Sequence, residues 1–175
     1  AFQKAIRSLE IGRYGLGFAK DFHEKSKEDL LHMLHTATSE RQFIMYEAIR
    51  KGATNAELFE LTKIKDYFLN QMRELVEEEE KLLSYKGQVP PAEVLAQAKK
   101  DGFADRYLSQ LLEIPEADIR NARTAIGVTE SWEGVHVSGT KDRAYYYSTY
   151  NAPDKNPVST DKQKIMILGG GPNRI

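Results

Sequence analysis

Two short stretches of this 175-residue chain hold residue types that could do chemistry. His32-x-x-His35, with Asp29 one turn earlier, would place metal-ligating side chains on one face of a helix. No third strong ligand follows at helical spacing, so a plain helix surface is the preferred reading. The other stretch is Lys164-Ile165-Met166-Ile167-Leu168, a buried-strand run, followed by the tight turn Gly169-Gly170-Gly171-Pro172. A strand followed by glycines is how nucleotide-type α/β domains bring backbone N–H groups to a phosphate. The full Gly-x-Gly-x-x-Gly spacing is not reached, and a structural turn opening an α/β domain fits at least as well. No Ser/His/Asp order, no carboxylate pair in an apolar setting and no phosphate loop with lysine occurs. The residues therefore nominate no catalytic, cofactor-binding or metal-binding site.

Composition narrows the classes further. There is no cysteine, which removes disulfides, thiolate nucleophiles and sulfur-based zinc sites and suits a reducing cytosol. Lysine and arginine number 25 against 26 aspartates and glutamates, so no electrostatic footprint for nucleic acid or an anionic membrane stands out. No apolar run is long enough to span a bilayer. The length suffices for one domain with a sizeable core. Both ends read as cuts through larger elements, as expected of a segment of something longer.

The stretch that must position everything else runs from Gly52 to Leu69, because it recurs fifty residues later from Gly102 to Ile119. Leu58 falls on Leu108, Leu61 on Leu111, Ile64 on Ile114 and Leu69 on Ile119. Each copy offers a capping residue (Thr54 or Asn55, then Asp105), a short helix, a break at Lys65-Asp66 or Pro115-Glu116, and a second helix. Two such helix–turn–helix units predict a mainly α module in which each unit buries its leucine face against the other. That motif also raises DNA binding as a rival. Neither second helix is basic, however, and phosphate contacts need lysine or arginine there.

Around the repeat, Phe2, Ala5, Ile6 and Leu9 mark one face of a first helix. The run 11–18 ends it with three glycines that call for unusual backbone angles. A short helix is predicted over Lys27–Leu34. Ser39 with Gln42 reads as a capping box opening a helix over Glu40–Lys51, with Phe43, Ile44, Tyr46 or Glu47, and Ala48 inward. The longest helix, Asp66–Tyr85, has a wide apolar stripe through Phe68, Leu69, Met72, Leu75, Val76, Leu82 and Leu83, interrupted by Glu79. Glu77–Glu80 reads as a solvated face. The stripe reads as internal core, with self-association as the alternative. Pro91 suits the first turn of a helix over Ala92–Lys100, and Gly127 ends one over Ala117–Ala125. Val135–Val137 and Tyr145–Tyr150 read as extended segments, and 151–162 as a linker.

The run Lys4–Gly17 (KAIRSLEIGRYGLG), Gly102-Phe103-Ala104-Asp105, Tyr147-Ser148-Thr149-Tyr150 and Lys164–Ile175 (KIMILGGGPNRI) together resemble the middle of the carbamoyl-phosphate synthase large subunit. The likeness covers the whole chain in order. It implies residues 1–150 as a helical oligomerisation domain, with the end of a preceding synthetase half at its N-terminus. Residues 151–175 would be a linker and the first strand of a second half. It further implies a ligase joining bicarbonate, ammonia and two ATP into carbamoyl phosphate for arginine and pyrimidine synthesis, in the cytoplasm. ATP and magnesium would bind in the flanking ATP-grasp halves. The implied partners are those halves, a glutaminase small subunit and further copies of the chain, with no nucleic acid and no membrane. Where the family reads near Asp-Thr-Cys-Ala-Ala-Glu-Phe, this chain has Glu133–Gly139 (EGVHVSG), so no family role is carried to that segment.

Overall fold

Glycine, proline and capping residues cut the chain into its helices. The computed structural model describes residues 1–140, 144–155 and 160–165. They fall into two compact units, Ala1–Thr129 and Glu130–Ile175. The first unit is helical: α1 (Phe2–Arg7), α2 (Lys27–Met33), α3 (Arg41–Arg50), α4 (Asn55–Thr62), α5 (Asp66–Leu83), α6 (Ala92–Lys100), α7 (Asp105–Leu112) and α8 (Glu116–Ala125). Ser26 opens α2 by accepting the Asp29 N–H at 3.1 Å. Thr54 opens α4 with a full capping box, its hydroxyl accepting the Glu57 N–H while Glu57 accepts the Thr54 N–H at 2.7 Å. Pro91 and Pro115 stand at the N-caps of α6 and α8. The box predicted at Ser39 and Gln42 does not form. Glu40 is the N-cap of α3 and makes no side-chain capping bond. Its carboxylate instead reaches Arg13 at 2.8 Å and Lys20 at 3.2 Å.

The fifty-residue repeat is a geometric repeat. Gly52 and Gly102 end α3 and α6 with φ of 88° and 91°. The residue after each returns its N–H to the helix, Ala53 to Ala48 O at 2.9 Å and Phe103 to Ala98 O at 3.0 Å. Lys63 and Glu113 end α4 and α7 in the left-handed conformation, at φ 57° and 55°. Leu58, Leu108, Leu69 and Ile119 are all completely buried. The correspondence extends further than the leucines. Arg73 donates to Asn55 Oδ1 at 3.0 Å, and Arg123, fifty residues on, donates to Asp105 Oδ2 at 2.8 Å. Asp105 is therefore not the cap expected of it. It is the first residue of α7, Ala104 stands at the N-cap, and the carboxylate is taken by Arg123 and Lys99.

The two leucine faces do not simply press on each other. One buried cluster gathers residues of the segment from Ile6 to Val76, the other those from Leu82 to Ile119, and Leu75 packs against both. α5, 18 residues and about 27 Å long at ~1.5 Å per residue, joins them. Leu69, Met72 and Val76 face the first cluster and Leu82 the second. Each buried leucine or isoleucine contributes roughly 1.5–3 kcal/mol. Phe68 departs from the predicted stripe and is exposed, as are Ala5 and Leu9 of the predicted α1 face, whereas Gln3 is buried. Gln3 Nε2 donates to Asp101 O at 3.1 Å and Arg7 to Gly102 O at 2.8 Å. So α1 binds the turn of the second repeat through polar groups while Ile6 fills the first core. α3 is buried over Phe43–Ile49, broader than the face predicted for it.

In the second unit, β1 (Ser131–His136) and β2 (Ala144–Thr149) pair antiparallel, Ser131 opposite Thr149 and His136 opposite Ala144. The predicted extended segments thus form one ribbon, with Val137 just beyond it. Glu133 to His136 of the divergent segment belong to β1. Of the predicted strand 164–168, Lys164 and Ile165 have no regular secondary structure. Residues 166–172, with the glycine turn, lie outside the described residues.

Two stability outcomes follow from the helix ends. Gly52→Ala and Gly102→Ala place a β-carbon on a left-handed backbone and should each cost about 1 kcal/mol or more, read as matching losses in urea denaturation. The Lys27 ammonium at 2.8 Å, with the Thr54 N–H and hydroxyl, lowers the Glu57 carboxyl from 4.5 to about 2. A depressed carboxyl stabilises the fold above its unfolded value and loses that effect as pH falls through the folded one. The melting-temperature advantage of wild type over Glu57→Gln should be full above pH 4.5 and close as pH falls towards 2.

Candidate functional site

Glu79 interrupts the apolar stripe of α5, yet its exposure is 0%. A carboxylate in such a place needs partners, and the two helices α3 and α7 supply them. Tyr46 Oη on α3 and Tyr107 Oη on α7 both donate to Glu79 Oε2 at 2.9 Å. Arg50 of α3 pairs with Glu79 Oε1 and with Glu80, and donates to Glu47 Oε2 at 2.9 Å. The glycine loop closes the assembly: the Gly17 N–H donates to Tyr107 Oη at 3.0 Å, and the Phe18 N–H to Glu47 Oε1 at 2.7 Å. The Arg50 guanidinium lies 4.8 Å from the Phe18 ring centroid.

The three glycines of this loop serve space more than backbone angle. Of them only Gly12 has positive φ, at 76°; left-handed geometry falls instead on Glu10, Phe18 and Lys20, at 53°, 55° and 50°. A β-carbon on Gly15 would overlap the Tyr107 ring, and one on Gly17 would overlap the Glu79 carboxylate. The unusual backbone angles expected of the loop thus occur, at Gly12 and Phe18, while Gly15 and Gly17 are required by space.

Burial raises the Glu79 carboxyl above its usual range, against Arg50 and the two tyrosines. Burial, then the Glu79 charge, pushes both tyrosine hydroxyls well up, so they stay protonated donors. Burial works against the Arg50 charge, but Glu79 and Glu47 outweigh it and hold the guanidinium charged. A second polar cluster is built the same way. Lys99 Nζ donates to Asp105 Oδ1 and Phe103 O, both at 2.7 Å. Burial would raise Asp105, but its bonds to Lys99 and Arg123 hold it below its ordinary value. Both clusters are closed on themselves. A cleft of about 490 Å³ beside the loop has its cations paired, Arg13 with Glu40 and Lys86 with Glu113, each at 2.8 Å.

The residues weighed as metal ligands lie on a plain helix surface, the reading preferred from the sequence. His32, His35 and Asp29 are exposed on or beside α2. The two imidazoles meet edge-on at 5.9 Å, and Asp29 accepts the Ser26 hydroxyl at 2.7 Å. Among the described residues no group of three His, Asp or Glu could hold a metal ion. Glu77–Glu80 is not the uniformly solvated face predicted, since Glu79 is the centre of the buried assembly. The sequence signal was a single acid at a stripe position, with Tyr46 and Arg50 one turn apart on the neighbouring helix. As DNA-reading helices α5 and α8 are unsuited. α5 carries Glu74, Glu77, Glu78 and Glu80, while Arg120 and Arg123 of α8 are engaged by Glu116 and Asp105.

The helical unit is a mainly α block built on a doubled helix–turn–helix design. The family comparison agrees: residues 1–127 match the profile of the carbamoyl-phosphate synthetase large chain, oligomerisation domain. The chain belongs to this family. It is similar to the carbamoyl phosphate synthase large chain of Archaeoglobus fulgidus, 37% identical over 100% of this chain and 17% of that protein. The large chains of Rhodopirellula baltica (35% identical, 100% and 17%) and Synechocystis sp. (36%, 100% and 16%) are similar too. The chain thus spans about 17% of the length of the relatives it matches.

Truncating the hub centre separates its members by burial. Glu79→Ala leaves two buried tyrosine hydroxyls without an acceptor and Arg50 short of one partner, and should cost roughly 3 kcal/mol or more. Glu80→Ala removes an acid that is 52% exposed and should cost about 1 kcal/mol or less. Urea denaturation of both variants reads the difference; equal losses would contradict the burial argument.

Proposed function

We propose that this chain is a non-catalytic spacer and self-association segment of a carbamoyl phosphate synthase large chain. In that assembly, residues 1–150 form the helical domain with the end of the preceding synthetase half at its N-terminus. Residues 151–175 are the linker and the first strand of the second half. The observation that carries the reading is the full-length similarity to large chains of which this segment is about one sixth, together with a helical block whose buried charges are all turned inward. ATP and magnesium act in the flanking ATP-grasp halves, where bicarbonate and glutamine-derived ammonia become carbamoyl phosphate. A glutaminase small subunit supplies the ammonia. The helical block sets the spacing of the halves and offers surface to a second copy. The setting is cytoplasmic; among the described residues no helix is long and apolar enough to cross a membrane.

Sedimentation of the 175-residue chain over a concentration series should show a dimer or higher species, and a coupled assay should show no ATP turnover above buffer. A strict monomer would refute the self-association half of the reading. Hydrolysis that co-purifies with the chain would refute the scaffold half.

A further inference from the structure

The ribbon of β1 and β2 has one edge fastened and one edge open. Trp132 O accepts the Lys155 N–H at 3.0 Å, and the Trp132 N–H donates to Asp154 Oδ1 at 3.3 Å, so the backbone of Trp132 points away from β2. Trp132 stands opposite Ser148, which makes theirs a non-hydrogen-bonded pair of the ladder. The pairs Gly134–Tyr146 and His136–Ala144 follow at the same phase. The N–H and C=O groups of Ala144, Tyr146 and Ser148 therefore all point out of the ribbon on the β2 side. Among the described residues none of these groups has a partner. The β1 edge is guarded further where it starts: Lys155 Nζ pairs with Glu133 at 2.9 Å, and the Ser131 hydroxyl donates to Ala152 O.

An open edge is a template for another strand, and folded proteins ordinarily blunt it with lysine, proline or a bulge. β2 (AYYYST) has no charge and no proline, and it pairs with β1 without a bulge. Tyr145, Tyr146 and Tyr147 are 67%, 58% and 60% exposed and alternate between the two faces. Val135 shares the face of Tyr145 and Tyr147, and Trp132 that of Tyr146; both are exposed. Tyr146 lies over Gly134, where a β-carbon would stand 3.2 Å from its ring. Both faces thus carry aromatic surface that the ribbon itself does not cover. A two-stranded ribbon of this kind is at best marginal in water and gains from a third strand.

Resting on the proposed place of this chain within a large chain, of which it is about one sixth, we infer that the open edge of β2 takes up an extended segment of that larger polypeptide as a third strand. Main-chain bonds to Ala144, Tyr146 and Ser148 hold it. It is uncharged beside Tyr145, Tyr146 and Tyr147, because a charge set among those rings would lose water without gaining an ionic partner. A segment tethered in the same polypeptide acts at an effective concentration on the order of millimolar, which favours it over a second copy or a separate protein.

Residue-resolved amide hydrogen exchange, on the 175-residue chain and on the intact large chain that contains it, reads the edge directly. In the 175-residue chain the Tyr146 and Ser148 amides should exchange fast, and those of Tyr145 and Tyr147, which bond across to β1, more slowly. In the intact chain the Tyr146 and Ser148 amides should slow at least ten-fold. Tyr146→Pro deletes only an outward N–H, a change that edge strands accept. In the intact chain it should return Ser148 to fast exchange and leave Tyr147 protected. Equally fast exchange of wild type in both settings would overturn the third strand and leave the large-chain reading standing. Protection already present in the 175-residue chain would overturn the occupant: if it rises with concentration the edge belongs to a second copy, and if it does not, to another segment of this chain. A gene product no longer than this chain would refute the large-chain reading and this one with it.

Discussion

The carboxylate of Glu79, at zero exposure, constrains the helical unit more than any apolar contact in it. Glu79 sits where α5 would otherwise carry a core residue, between the two hydrophobic clusters. Isolated, an ionised acid there would be strongly unfavourable. It is tolerated because Tyr46, Arg50 and Tyr107 converge on it, and they can converge only if α3, α5 and α7 hold one relative placement. A leucine at this position would pack in several registers; a carboxylate with three defined donors has one. The glycine loop joins the same network through two backbone N–H groups, which makes the loop's position a consequence of the helix packing.

The repeat shows how one turn design is fastened in two ways. In the first copy Asn55 accepts from Arg73, on a surface where an amide suffices. In the second the same place holds Asp105, and the arginine is joined by the ammonium of Lys99, itself nearly buried. A buried ammonium needs a charged partner, so the amide of one copy becomes the carboxylate of the other. The backbone path, with its positive-φ glycine and left-handed Lys63 or Glu113, stays the same.

The local elements were open to view in the sequence. Gly52, Gly102, Pro91, Pro115 and Thr54 act through backbone conformation or a neighbouring N–H, within a few residues, so the end of α3, α4, α6 and the start of α8 could be placed from them. The leucine spacing gave the repeat because helical periodicity is likewise local. Failures came where a side chain had a distant alternative. Ser39 and Gln42 did not form their box, while Glu40 turned to Arg13 and Lys20; Asp105 did not cap, because Lys99 and Arg123 claimed it. Four neighbouring glutamates read as one solvated face although Glu79 alone falls on the apolar stripe, because the partners that bury it, Tyr46, Arg50 and Tyr107, lie on other helices.

What the amino-acid order determined by itself was the helical character, the doubled unit, the absence of reactive sites built on sulfur and the family to which the motifs belong. Those are properties of nearest neighbours and of composition. Only the tertiary structure decided which acid is buried, why Gly15 and Gly17 must lack a β-carbon, and that α5 bridges two cores. Each of those depends on residues tens of positions apart meeting at distances of a few ångströms, and such meetings are fixed by packing.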